Sequence, residues 1–216
     1  MMTIIAENKS TFVCFVDFQK AFDWVNRDLL ALKLLKGGVD GKFYQALKSL
    51  YSSSVACVQV NDLQTDWFKT PFGVKQGDVL SPSLFSLYIN DLAVEIKNAN
   101  LVIHLNDLTV GILLYADDIV LLAESEDDLQ NMLNLVQTCC CRWRLSINQS
   151  KTQIIHFRIK GVPRSEKIFT FSDMPLENTS VYKYLGFPLD EFMNYENRIK
   201  LLAETKQSYT LFSGYS

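Results

Sequence analysis

A mixed α+β fold, one sheet with helices packed on one face, is what this sequence predicts. Three observations lead there. Short, wholly apolar runs such as Phe12 to Val16 and Ile119 to Ala123 have the length of strands buried on both faces. Between them lie stretches with apolar residues at helical spacing, such as Phe85, Ile89, Leu92 and Ile96, which put one stripe toward a core. The 216 residues are 48% hydrophobic and 21% charged, a globular composition with enough chain for one sizeable core and a small appendage.

In chain order, the strand Phe12–Val16 ends at Asp17. Arg27 to Lys36 reads as a helix, with Leu29, Leu30, Leu32, Leu34 and Leu35 apolar and Gly37-Gly38 as the stop. Lys42 to Tyr51 is a second helix. Val55 to Val60 is a strand that Asn61-Asp62 turns into Trp67-Phe68. Ser81-Pro82 starts a third helix, Ser as N-cap and Pro at the first helical position. Ile112 to Tyr115 and Ile119 to Ala123 flank Ala116-Asp117-Asp118 as a buried hairpin with two carboxylates at its tip. Ser125 to Asp128 is a capping-box start for a helix that packs Leu129, Met132, Leu133, Val136 and Trp143. Ile154 to Phe157 and Tyr182 to Leu185 are further strands, and Asp190 to Phe212 is helix-like. The soft stretch runs from Lys160 to Lys167.

The net charge of −3 argues against simple coating of nucleic acid, which is usually done by basic chains, but not against an acidic metal site. No apolar run approaches the roughly 20 residues that span a bilayer, and the first residues turn polar too soon for a signal peptide. The expectation is an intracellular protein, in nucleus or cytoplasm, with no membrane partner. The five cysteines lack Cys-x-x-Cys spacing, which excludes the usual zinc patterns and leaves them as reduced, partly buried fillers. His104 and His156 have no companion ligand in register and receive no role.

Carboxylates are costly between apolar strands unless something compensates them. Asp117-Asp118 has two readings. One is a polar β-turn, for which Asp is well suited. The other is a divalent-metal site completed by Asp17 from the neighbouring strand end, because hard oxygen ligands suit Mg²⁺ together with substrate phosphates.

The residues from Phe15 to Val25 resemble the first catalytic block of reverse transcriptases of the non-LTR retrotransposon type, the pattern D-x-x-K-A-F-D beginning at Asp17. Gly73 to Pro82 is similar to their second block, Tyr115-Ala116-Asp117-Asp118 to the Y-A-D-D block, Leu145 to Thr152 to the L-x-x-N-x-x-K-T block, and Tyr182 to Gly186 to Y-x-Y-L-G. Five blocks stand in the family's order over most of the chain. The resemblance implies a polymerase palm, an antiparallel sheet with helices on one face, plus partial fingers over residues 1–189. It implies the start of a thumb over 190–216. The implied activity is RNA-directed DNA synthesis, with an RNA template, a DNA primer and a dNTP as partners. Two Mg²⁺ ions, replaceable by Mn²⁺, would be held by Asp17, Asp117 and Asp118 with help from the Phe18 carbonyl. Phe22 would be the gate against a ribose 2′-hydroxyl. Gln76 and Gly77 would line the nucleotide and template, Tyr115 would lie near the primer end, and Lys151 would approach the triphosphate. Tyr184 and Leu185 would belong to the primer grip. Each has a plainer reading: Phe22 as core packing, Gln76-Gly77 as a turn, Lys151 as a solvated charge. Asp23 reads as a helix cap.

Arg144 stands where the family usually has Gly, which bears on the turn that carries Lys151. Fingers blocks should precede Asp17, and only sixteen residues do. A fragment of a retrotransposon polyprotein, lacking complete fingers, thumb and endonuclease, is therefore the expectation. Two other readings stay open: an inert remnant that only binds or scaffolds, and an RNA-directed RNA polymerase. Phe22 and Ala116 speak against the latter.

Overall fold

In a computed structural model, residues 10–105 and 108–193 are described. The architecture is a five-stranded sheet carried by β1 (Thr11–Asp17), β2 (Ile112–Tyr115), β3 (Asp118–Ala123), β4 (Gln153–Phe157) and β5 (Glu177–Asn178). The order across the sheet is β5-β4-β1-β3-β2. Every pairing is antiparallel except β4 with the short edge strand β5. The expected all-antiparallel sheet is thus modified at one edge.

Strand alternation divides the core in two. Phe12, Cys14, Val16, Ile119 and Leu121 face the helices α1 (Arg27–Lys36), α2 (Gly41–Ser52), α3 (Ser81–Asn98) and α4 (Glu126–Trp143). Val13, Phe15, Val120, Leu122 and Ile155 face the other way. That second face is covered by a separate hairpin, β6 (Val181–Tyr184) and β7 (Phe187–Asp190), through Tyr182, Tyr184 and Leu189, with Ile103 and Val110 beside them. The stretch expected as a further strand, Tyr182–Leu185, is therefore a ribbon laid over the sheet. Leu185 leaves the strand for the turn, at φ 48°. Asp190, expected to open a helix, closes β7 opposite Val181. The rest of that predicted helix, from residue 194, lies outside the described residues.

Helix ends follow local chemistry. The Asn26 side chain accepts N–H bonds from Asp28 and Leu29 at 3.0 Å, so Asn26, and not Asp23, caps α1. Ser125 caps α4 by accepting from the Asp128 N–H. Ser81 does not cap α3. Its hydroxyl donates to the Lys75 carbonyl at 2.5 Å, and the helix begins one residue earlier than expected, with Leu80 at the cap position. The loop before it is held by Asp78, whose carboxylate accepts from the Leu80 N–H at 2.9 Å.

Charged contacts tie the helices together. The Lys33 ammonium pairs with Asp91 at 2.9 Å and sits 4.2 Å from the centre of the Trp143 ring, joining α1, α3 and the end of α4. Between α2 and α3 the chain folds out as a hairpin, Val55–Ala56 against Phe68–Lys69 and Gln59–Val60 against Leu63–Gln64, turning at Asn61 with φ 52°. The expected strand over 55–60 is thus split by Cys57 and Val58. Residues 160–167 are pinned to the start of α4: Ser165 donates to Glu126, and Lys167 pairs with Asp127 at 2.5 Å. All five cysteines are free. Burial pushes the Cys139 and Cys140 thiols up to about 12, which makes them inert. No described helix is long and apolar enough to cross a membrane.

Candidate active site

Asp17 ends β1 and Asp118 begins β3, and the two are direct partners across the antiparallel ladder. By strand alternation both lie on the face of Phe15 and Val120, under Tyr182 and Tyr184. The turn from β2 into β3 is tight. Tyr115 pairs with Asp118, and Ala116 takes φ 54°, which a residue with a Cβ adopts at some cost. Three Asp are thus carried on two adjacent strand ends.

The end of β1 is held by the segment after α4. The Asp17 N–H donates to Thr152 Oγ1 at 3.2 Å, and the Asn148 N–H donates to the Asp17 carbonyl at 2.7 Å. The Gln19 N–H donates to Ser146 O at 2.8 Å, so Phe18 and Ile147 form an isolated bridge. These bonds run from residues on either side of Phe18 and leave its own carbonyl out. Lys151 lies in the same turn, exposed, with its N–H on Asn148 O.

Asp117 lies on the far side of the turn, on the wall of a cleft of about 470 Å³. Lys20, Phe22, Gln76, Gly77, Asp78 and Ser81 are among the residues that line it. The Phe22 ring meets Phe85 of α3 edge-on, centroids 5.4 Å apart, so it is packed and on the cleft wall at once. Gly77 turns the loop at φ 81°. Two segments remote in sequence are zipped here. The Val74 N–H donates to Phe22 O and the Gly73 N–H to Val25 O, both at 2.8 Å. A Cβ on Gly73 would lie 2.9 Å from the carbonyls of Phe22 and Asp23, which is why glycine stands there.

Carboxylates crowd this rim. Burial, then Asp117, then Asp17 push the Asp118 carboxyl above its ordinary value. Among the described residues no three His, Cys, Asp or Glu side chains are gathered closely enough to enclose a metal by themselves. Hard carboxylate oxygens that repel one another nevertheless fit a divalent cation whose remaining ligands are phosphate or water.

Residues 2–189 match the family model described as reverse transcriptase, RNA-dependent DNA polymerase. The chain belongs to the reverse transcriptase family. It is 32% identical over 197 residues to the RNA-directed DNA polymerase from mobile element jockey of Drosophila funebris, covering 88% of this chain and 20% of that protein. It is 27% identical over 190 residues to the Pol polyprotein from type-1 retrotransposable element R2 of Popillia japonica, covering 83% of this chain and 31% of that protein. These are non-LTR retrotransposon enzymes, and the chain spans about a fifth to a third of their length. In fold it is similar to apo telomerase from Candida tropicalis truncated from its C-terminal domain. That similarity has TM-score 0.58 and 17% identity, over 89% of this chain and 36% of that one.

Within this reverse transcriptase domain the remaining block residues fall in three places. Tyr115 is 63% exposed at the hairpin tip, open to any partner that reaches the rim. Tyr184 turns inward, its ring 5.4 Å from that of Phe15, while Tyr182 stacks on Phe15 at 4.2 Å. Burial and then the charge of Asp118 push both hydroxyls up. Leu185 is exposed, in its turn. Arg144 ends α4 in the left-handed region, φ 57° and ψ 35°, the conformation glycine adopts most easily. The backbone path to Lys151 is thus kept without the glycine.

Two residues stand out: Asp23, which the sequence presents as a helix cap, and Arg27, to which it gives no role of its own. Asp23 accepts a hydrogen bond from Gln76 Nε2 at 2.8 Å. Arg27 binds four carbonyls: Gly73 at 2.7 Å, Thr70 at 2.5 Å, Phe72 at 3.0 Å and Tyr51 at 3.1 Å. An Arg at the start of a helix whose N-terminus favours acidic groups was the available signal, since the helix itself does not call for it.

Proposed function

We propose that this chain is the catalytic palm of an RNA-directed DNA polymerase, joining a dNTP to the 3′-hydroxyl of a DNA primer on an RNA template. The observation that carries the reading is the arrangement of Asp17 and Asp118 on paired strand ends, with Asp117 on the wall of the cleft that Phe22 and Gln76 share. Asp17, Asp117 and Asp118 would hold two Mg²⁺ ions, or Mn²⁺ in their place. When bound, these ions stabilise charge on the attacking and leaving oxygens of phosphoryl transfer.

The chain's own side chains supply the rest. Phe22, wedged on Phe85, has no room to yield to a 2′-hydroxyl and selects deoxyribose. Gln76 and Gly77 border the nucleotide and template. Lys151, in the turn bonded to Asp17, donates a proton to the departing pyrophosphate. Tyr115 and the Leu185 turn contact the primer end, and Tyr184 supports that turn from beneath. A rim of net negative charge binds nucleic acid weakly, so grip on the duplex calls for Lys and Arg contacts to phosphate beyond those of the rim.

The test is primer extension on a poly-ribonucleotide template, by this chain and by a version extended at both ends with the flanking codons of its gene. The expected result is Mg²⁺-dependent incorporation of dNTP, weak in the 216-residue chain, strong in the longer one, and abolished by Asp117→Asn. Extension that survives Asp117→Asn, or none from either form, contradicts the reading.

A further inference from the structure

We infer that Asp23 is a positioning residue for the incoming nucleotide and acts through Gln76; the inference rests on the reading of the 470 Å³ cleft as the nucleotide pocket. Gln76 lines the cleft, whereas Asp23 does not. Asp23 instead stands behind Gln76 and accepts its Nε2–H at 2.8 Å. A carboxylate can only accept, so this bond fixes which end of the amide is which. Nε2 is committed to Asp23, and Gln76 keeps its Oε1 acceptor and one N–H for whatever enters the cleft.

The backbone on both sides is already rigid. Gly73 and Val74 are bonded to Val25 and Phe22, and Gly73 has no space for a side chain against Asp23 O. The loop that carries Gln76 is held from below by Ser81 on Lys75 O and by Asp78 on the Leu80 N–H. The Gln76 side chain is exposed and is the part of this wall left to choose a rotamer. Asp23 removes that choice. An aligned polar group loses less freedom when a ligand binds, which favours the bound state. Asp23 follows Phe22 in the chain, so the same short 3₁₀ segment, Ala21–Trp24, sets both the apolar wall and the polar contact of the pocket.

The test is a fluorescence titration of the 216-residue chain with a base-labelled deoxynucleoside triphosphate and Mg²⁺. Asp23→Ala is expected to weaken binding roughly five- to tenfold, the scale of one charge-assisted hydrogen bond. Gln76→Ala should weaken it at least as much, and the double variant no further than Gln76→Ala. Asp23→Glu should restore part of the loss. Thermal unfolding should be the same for all, because both side chains are exposed. In primer extension KM for dNTP should rise while kcat stays within about twofold. Unchanged binding by Asp23→Ala, or additive losses in the double variant, overturns the inference and leaves the nucleotide-pocket reading standing. Failure of the parent chain to bind the nucleotide at all overturns both.

Discussion

Asp17 and Asp118 face each other across the β1–β3 ladder, two carboxylates in direct register at the open end of a ladder whose other cross-strand pairs are apolar. Like charges opposite each other destabilise a strand pair. Asp118 is the one whose carboxyl is raised, by burial and by its two Asp neighbours. A raised carboxyl favours the protonated folded state. Its stabilising contribution is therefore complete below the ordinary carboxylate range and is lost as pH rises through the raised value. Without divalent cations, Asp118→Asn should raise Tm at pH 7 and should have little effect near about pH 2, below the ordinary carboxylate range, where the carboxyl is protonated in either state. Thermal melts at the two pH values check this. An equal shift at both would mean the charge is not the cause.

In the proposed function Phe22 carries the sugar selection. Its ring meets Phe85 edge-on, a contact that opposes movement away from a 2′-hydroxyl. Phe22→Val in an active form should raise ribonucleotide relative to deoxynucleotide incorporation by about 1–3 kcal/mol, the scale of steric discrimination by one pocket group. Competitive incorporation measures the ratio, and an unchanged ratio assigns Phe22 to packing alone.

Arg27 staples the 53–72 hairpin to the helical layer through four carbonyls, with its guanidinium 5.0 Å from the Tyr51 ring centre. Arg27→Ala should cost about 1–3 kcal/mol, as expected when part-buried carbonyls lose a charged donor. Arg27→Lys should not recover it, because an ammonium cannot span the fork. Denaturant melts give the cost, and limited proteolysis should find new cuts between residues 53 and 72. Equal stability of the Lys variant would show that charge alone suffices.

Arg144 holds a left-handed conformation at the end of α4. Arg144→Gly should stabilise the chain by about 1 kcal/mol, the usual penalty for a side chain in that region. Chemical denaturation is the check, and a loss of stability would mean that the Arg144 side chain contributes more than its backbone costs.

The same residue marks how far the sequence could be read. The departure from glycine was visible, but only the structure gives the left-handed φ that keeps the turn. Wholly apolar runs located β1, β3 and β4, because strands buried on both faces carry no polar positions, and three-and-four spacing located α3 and α4, because burial of one helix face leaves a period in the sequence. Three features left no such period. The Ser81 hydroxyl went to Lys75 in place of the helix cap. β6 and β7 formed a ribbon over the sheet rather than a further edge. Asp23 met Gln76 from 53 positions away. Each depends on a partner distant in the chain, and periodicity carries no information about which partner that is.

Mn²⁺ binding followed by electron paramagnetic resonance tests the central claim, that the strand-end aspartates form a divalent-cation site. The chain should bind Mn²⁺ competitively with Mg²⁺, and Asp17→Asn, Asp117→Asn and Asp118→Asn should each weaken that binding. Asp62→Asn, in the exposed hairpin turn, should leave it unchanged. Equal Mn²⁺ binding by all four variants and the parent would contradict the account.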